Sequence, residues 1–247
     1  MNAGRARMIF DAFATKVLRS SGIRHLQSSL IYSKEDATAS TFLISTCADA
    51  IKLAWTTELQ SGNEGLDDHQ FLNVFPGEHY RLLNALMHAI DARVIVEIGT
   101  FTGLGTLALR EGLPSDTRVT TFDIIEWDKV SSPSHLASSD FDSGRIRQVI
   151  GDLSQDEVFS QNYTVLDEAD VIFLDAPKDD VFEYKMAEKL QRLSKKERKL
   201  LIIDDIQFVN MIDFWRSIQS PKIDVTSFGH WSGTGIVDIS DGFRIAK

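Results

Sequence analysis

Glu97, Asp123, Asp152, Asp175 and Asp204 each stand at, or just beyond, the end of an apolar, β-branched run. In open parallel sheets ligands bind outside the carboxyl ends of the strands, so five acids placed this way would share one rim. Beside the first acid lies Gly99-Thr100-Phe101-Thr102-Gly103-Leu104-Gly105, which opens into Thr106-Leu107-Ala108-Leu109-Arg110. Glycine lets a chain turn tightly from strand into helix. The backbone N–H groups of such a turn form a cradle for a nucleotide-like ligand. Two more groups could do chemistry nearby: Lys178, three residues after Asp175, and Asp205, next to Asp204.

The elements that must position these groups follow from periodicity. Strands are expected at Arg93–Ile98, Val119–Ile124, Ile146–Ile150, Asp170–Leu174 and Leu200–Ile203, with helices over Asp179–Leu193 and Gln207–Gln219. Alternating strands and helices imply right-handed crossovers and a parallel sheet covered on both faces. The end differs: Asp224–Phe228, a Gly233/Gly235 turn and Ile236–Ile239 read as an antiparallel β-hairpin. Before the first strand the pattern is helical. Ile9, Phe10, Phe13, Val17 and Leu18, then Leu26, Leu30 and Ile31, recur at helical spacing. A second run spans Ser40–Leu59, Ser61–Gly65 is a loop, and a helix begins near Tyr80. The expected division is a helical extension over 1–75 and a ligand-binding domain over 76–247.

Bulk properties narrow the class. The chain has 247 residues, 43% of them hydrophobic and 25% charged, which suits one α/β domain with a small accessory region. A net charge of −10 argues against a non-specific grip on nucleic acid phosphates. Cys47 is the only cysteine, so an intrachain disulfide and a zinc–cysteine cluster are both excluded. Asp11 and Lys16 interrupt the apolar residues near the start, unlike a secretory signal. The Thr41–Trp55 segment is too short to span a bilayer and contains Asp49 and Lys52. A soluble, cytoplasmic protein with no nucleic-acid or membrane partner is the expectation.

The glycine register selects among nucleotide-like ligands. A nicotinamide fingerprint is G-x-G-x-x-G, whereas this turn runs Gly99-x-x-x-Gly103-x-Gly105. The segment from Val94 to Gly105 resembles the first motif of class I S-adenosylmethionine-dependent methyltransferases. That resemblance implies a Rossmann-like, doubly wound, mostly parallel seven-stranded sheet ending in the C-terminal hairpin. It also implies that Glu97 and Gly99 border the methionine part of S-adenosylmethionine, with Thr102 near its carboxylate and Gly103 among the cofactor-binding residues. Asp123 would accept from the ribose hydroxyls and Asp152 would face the adenine edge. On the residues alone, the glycines also fit plain turn geometry, and Asp152 a loop or cap carboxylate.

Two later segments, Val171-Ile172-Phe173-Leu174-Asp175-Ala176-Pro177-Lys178 and Leu200-Leu201-Ile202-Ile203-Asp204-Asp205, resemble the cation-dependent O-methyltransferases of the catechol and caffeoyl-coenzyme A type. Carried over, Asp175, Asp204 and Asp205 would hold a divalent cation, most simply Mg²⁺, and Asp175 would also border the cofactor. Lys178 would be the general base, with His230 as a second catalytic candidate in the hairpin loop. Asp205 departs from the family, which has Asn there; an Asp-Asp pair also resembles the macrocin-type sugar O-methyltransferases. Like charges about 4 Å apart repel by roughly 4 kcal/mol at an effective dielectric of 20, so converging carboxylates call for a cation. Lys178 could accept a proton only if its pKa fell from about 10.4 to near 7. Adjacent strand residues point to opposite faces, so Asp204 and Asp205 reach one ion only if the chain bends between them.

Simpler readings stand beside these: Asp205 as a helix N-cap, Lys178 as an exposed lysine, His135 and His230 as solvated loop histidines. His79 and Tyr80 could border the site's mouth, and the loop 126–143 could fold over the cofactor. The expected acceptor is a small molecule with a hydroxyl group. The N-terminal helices would cap its pocket or form a homodimer contact. Alternatives are a metal-independent O- or N-methyltransferase, a non-catalytic cofactor-binding protein and, least of all, a nicotinamide oxidoreductase.

Overall fold

In this computed structural model, which describes residues 37–246, the apolar runs form seven strands. They are β1 (Val94–Ile98), β2 (Arg118–Asp123), β3 (Ile146–Ile150), β4 (Val171–Leu174), β5 (Leu200–Asp204), β6 (Lys222–Asp224) and β7 (Thr234–Asp238). One sheet contains all seven in the order β3-β2-β1-β4-β5-β7-β6. The first five are parallel, and β7 runs antiparallel to both β5 and β6. This is the mostly parallel sheet with an antiparallel end that the residue pattern implies. The order reverses at the β1–β4 boundary, where open sheets form a crevice at their carboxyl ends.

Eight helices join the described strands: α1 (Thr41–Ala54), α2 (Tyr80–Ala89), α3 (Leu104–Arg110), α4 (Ser138–Phe141), α5 (Asp156–Gln161), α6 (Tyr163–Glu168), α7 (Val181–Leu190) and α8 (Val209–Ser217). Alternate residues of a strand face opposite sides of a sheet. Ile95, Leu200 and Ile202 accordingly pack with Leu82 and Leu86 of α2. Val96, Leu201 and Ile203 pack on the other face with Met186 of α7 and Phe214 of α8. Both faces are buried, which is why these strands read as unbroken apolar runs. Leu43, Cys47, Ala50 and Ala54 of α1 join the α2 side of the core. Ser40 caps α1 by accepting from the Leu43 N–H at 3.1 Å, and its own hydroxyl donates to Asp238 at 2.6 Å. The earlier helical pattern from Ile9 to Ile31, and any dimer contact it makes, lies outside the described residues. No helix among the described residues is long and apolar enough to cross a membrane.

The hairpin differs from its expected outline. Its first arm is Lys222–Asp224, and Thr226–Phe228 forms a 3₁₀ turn instead of strand. Asp224 accounts for this: its carboxylate accepts from both N–H and Oγ1 of Thr226, which closes a side-chain turn and ends the strand. Gly235 lies within β7, not in a turn.

Candidate active site

Strand register lines up the acids. Ile98 pairs with both Phe122 and Leu174, and Leu174 pairs with Ile203. The residues that follow, Gly99, Asp123, Asp175 and Asp204, therefore leave the sheet at one level. Gly99 adopts φ of 107°, and a Cβ there would stand 1.9 Å from the Asp175 carbonyl oxygen. Only glycine permits that approach of β1 to β4.

A cavity of about 450 Å³ opens at this level, lined by Gly99, Phe101, Asp123, Ile124, Asp152 and Asp175 among others. The volume suits a small molecule. The glycine turn beside it has part of its N–H groups already engaged. Asp123 Oδ2 accepts from Thr100 N at 2.9 Å and Phe101 N at 3.1 Å, while Oδ1 accepts from Ile125 N at 3.0 Å. Gly99 N donates to Phe122 O and Gly103 N to Thr100 O. Four of the turn's N–H groups, those of Gly99, Thr100, Phe101 and Gly103, thus close on its own chain and on Asp123. Asp152 accepts from Ser154 N and Gln155 Nε2, both at 2.9 Å. Burial raises its carboxyl, but these bonds outweigh it and hold the pKa below the ordinary value.

Glu97, Thr102 and Gly103 lie behind the cavity and do not line it. Glu97 is 1% exposed and accepts from the Thr106 hydroxyl. Burial pushes its carboxyl up to about 8 against that bond. Gly103 precedes α3 with φ of 86°. The Thr102 carbonyl accepts from His135 N at 2.8 Å. His135 is neither solvated nor in the cavity. Asp68 Oδ1 lies 2.8 Å from its Nε2, and Asn63 N donates to its Nδ1 at 3.2 Å. It ties the loop 126–143 to the loop before the Asp67–Asn73 3₁₀ helix.

Beside the cavity the three acids Asp175, Asp204 and Asp205 converge, with one carboxylate oxygen from each lying within 4.8 Å of the others. The chain does bend between Asp204 and Asp205: β5 ends at Asp204, and Asp205 has φ of 58°. Gly233 makes this bend possible. Its carbonyl accepts from Asp205 N at 2.7 Å, and a Cβ on it would stand 2.7 Å from Gln207 N. Asp205 caps no helix, because α8 starts at Val209 after Phe208. Its carboxylate instead accepts from the Ser232 hydroxyl.

Lys178 is not an exposed lysine. Its ammonium pairs with Asp175 and stands 2.9 Å from Asp205 Oδ2 and 4.0 Å from Asp204 Oδ2. Burial lowers its pKa, but the three carboxylates raise it more, so Nζ holds its proton firmly. That is opposite to the fall a base near pH 7 requires. Asp175 is raised by burial and by Asp204, against the pull of Lys178. Phe101, Lys178, Asp180 and Asp205 all have positive φ, between 41° and 64°. Non-glycine residues in this region cost on the order of 1 kcal/mol or more and persist where surroundings over-determine them.

Two imidazoles complete the site. His230 Nδ1 lies 3.3 Å from both Asp204 Oδ1 and Asp205 Oδ1. Burial lowers it, but those two carboxylates overcome burial and push it up to about 10. His79 Nδ1 lies 3.4 Å from Asp204 Oδ1. Burial raises the Asp204 carboxyl, yet His79 and His230 hold it far below the ordinary carboxylate range. His79 arrives through pairing of Gly77 with the hairpin loop: Trp231 N donates to Gly77 O at 3.1 Å, and Gly77 N to Gly229 O at 3.2 Å. No local motif marks His79 as a site residue; only this long-range pairing brings it in. Ser232 and Glu78 were missed for the same reason.

A profile described as O-methyltransferase matches residues 69–213. Caffeoyl-CoA O-methyltransferase 2 of Eucalyptus globulus is similar, at 31% identity over 110 residues, which is 42% of this chain and 42% of that protein. The chain thus spans less than half the length of that curated relative in the match. The O-methyltransferase of Bacillus cereus in complex with SAH is similar at 18% identity and a TM-score of 0.43, over 89% of this chain and 94% of that one. TomG of Streptomyces achromogenes, an O-methyltransferase involved in tomaymycin synthesis and solved with SAM, is similar at 19% identity and a TM-score of 0.45, over 85% and 92%.

Proposed function

This chain belongs to the O-methyltransferase family, and we propose that it is an S-adenosylmethionine-dependent enzyme that methylates a hydroxyl of a small molecule with the help of a divalent cation. The observation that carries this reading is the convergence of Asp175, Asp204 and Asp205 around Lys178 at the edge of the cavity.

The cavity suits the donor. Ile124, Leu153 and Phe182 offer apolar wall to an adenine, and Asp123 and Asp152 offer carboxylates to ribose hydroxyls and to the adenine edge. Gly99 and Asp175 border the end nearer the acids, where the methionine part would lie. Glu97, Thr102 and Gly103 support that end from behind the turn. The acid cluster suits a hard cation: all three donors are oxygens, which favours Mg²⁺, Mn²⁺ or Ca²⁺. Held by Asp175, Asp204 and Asp205, a divalent ion would supply the charge that acidifies and orients an acceptor hydroxyl. Asp175, Asp204 and Asp205 fix where that hydroxyl comes to rest. Its oxygen forms the new bond to the methyl carbon as the carbon–sulfur bond breaks, and its proton passes to Lys178 Nζ. Burial already pulls the Lys178 ammonium down, and only the carboxylates hold it up, so compensating their charge would let Nζ first release its own proton to solvent and then accept the acceptor's.

One observation favours a second reading, transfer without a cation: the Lys178 ammonium already pairs with Asp175 and Asp205. Incubation with S-adenosylmethionine and a panel of phenolic, sugar and polyketide alcohols, with Mg²⁺ or with EDTA, separates the two. Methylated product with Mg²⁺ alone supports the first reading. Equal product in EDTA supports the second.

A further inference from the structure

His79 is 4% exposed, and neither of its ring nitrogens makes a hydrogen bond among the described residues. Asp204 Oδ1, which faces it, is equally buried and equally without a hydrogen bond. Leaving buried polar groups unpaired costs about 1–3 kcal/mol each, and His79 Nδ1 and Asp204 Oδ1 face each other at 3.4 Å, so the two call for a shared partner. We propose that His79, Asp204 and His230 form a second cation site, distinct from the all-oxygen cluster, that takes a late first-row divalent ion.

The distances fit. Ligand atoms about 2.1 Å from one ion stand about 3.0 Å apart at an octahedral angle and about 3.4 Å apart at a tetrahedral one. Asp204 Oδ1 lies 3.4 Å from His79 Nδ1 and 3.3 Å from His230 Nδ1. One donor atom from each of the three residues falls within 4.8 Å of the others. The two imidazole rings meet at 84°, so they approach the common point from different directions.

The neighbours fit as well. A metal-bound imidazole usually donates its other N–H to a carboxylate. Glu78 Oε2 stands 3.6 Å from His230 Nε2, a small closure away from that bond. Ser232 Oγ lies 2.7 Å from His230 Nδ1 and donates its own proton to Asp205, so it holds the Nδ1 proton in the metal-free protein. An ion on Nδ1 would release that proton to solvent and turn the Ser232 hydroxyl aside, leaving it on Asp205.

Asp204 separates the two sites by its two oxygens. Oδ1 faces the imidazoles, and Oδ2 faces Lys178 at 4.0 Å, on the side of Asp175 and Asp205. Two nitrogens with one oxygen favour Mn²⁺, Fe²⁺, Co²⁺, Ni²⁺ or Zn²⁺ over Mg²⁺. The second site therefore differs from the first in the ion it selects.

Titration of the full, untagged chain with Co²⁺ tests this, because Co²⁺ reports its ligands spectroscopically. In the unsubstituted protein, paramagnetically shifted proton spectra are expected to show two solvent-exchangeable imidazole N–H signals. His79→Ala is expected to weaken Co²⁺ affinity at least about tenfold, the least that losing even an outer partner costs. Asp175→Asn is expected to keep both imidazole N–H signals. Co²⁺ binding with fewer than two such signals, no Co²⁺ binding at millimolar concentration, or affinity lost in Asp175→Asn but kept in His79→Ala would each overturn the proposal. The two-signal readout needs no substitution, so misfolding of a variant cannot obscure it. Neither readout depends on turnover, so failure here and failure of the cation-assisted transfer are distinguishable.

Discussion

The ammonium of Lys178 lies 2.9 Å from Oδ2 of Asp205, and both residues hold left-handed backbone conformations. Two different elements reach this contact, the turn after β4 and the bend after β5. Each pays a local backbone cost to aim its charge at the same point.

Lys178→Met tests the charge balance. Removing the ammonium leaves three carboxylates facing one another. Losing one partner of a wholly buried pair costs about 3–5 kcal/mol, and Lys178 is partly exposed, so roughly 2 kcal/mol is expected in EDTA. Mg²⁺ should restore most of it while methyl transfer stays low. Urea unfolding with and without Mg²⁺ checks this, and equal stability of variant and wild type in EDTA would count against it.

Glu97 carries a pH signature. Its folded carboxyl is pushed up to about 8 by burial, against 4.5 in an unfolded chain. The folded state therefore binds the extra proton between those values, and stability falls as pH rises through that window. Glu97→Gln is neutral at every pH and keeps the shape. Between pH 4.5 and 8 the variant should lose less stability than wild type, by a few kcal/mol at most. Parallel pH slopes for both proteins would show that Glu97 is ionised in the fold.

Much of this arrangement was legible in the residues. The five strand-end acids, the turn into α3 and the antiparallel end all follow from short-range patterns. The bend that lets Asp205 join Asp204 was legible only as a condition. It depends on Gly233, 28 residues beyond Asp205, because the hairpin loop must close against it. His79 was placed only at the mouth, since its position rests on the Gly77 pairing with the hairpin loop. Asp123, an acid read only as a ligand contact, also accepts from two N–H groups of the turn, those of Thr100 and Phe101, a role that only the folded turn reveals.

His135→Ala should act on the loop and not on the chemistry. It removes the contact with Asp68 and the bond from Asn63, at a cost of about 1–3 kcal/mol. Proteolysis within 126–143 should accelerate while affinity for S-adenosylhomocysteine holds. Limited digestion followed by mass spectrometry, with calorimetry alongside, reads both; an unchanged cleavage rate would remove the tie.

Cation-assisted transfer at Asp175, Asp204 and Asp205 is tested most directly by the methyl-transfer rate against free Mg²⁺, in wild type and in Asp205→Ala at saturating S-adenosylmethionine. The expected result is a wild-type rate that climbs from near zero in EDTA to a plateau. Asp205→Ala should show little or no climb yet bind S-adenosylhomocysteine normally. Full wild-type turnover in EDTA would contradict the cation's role.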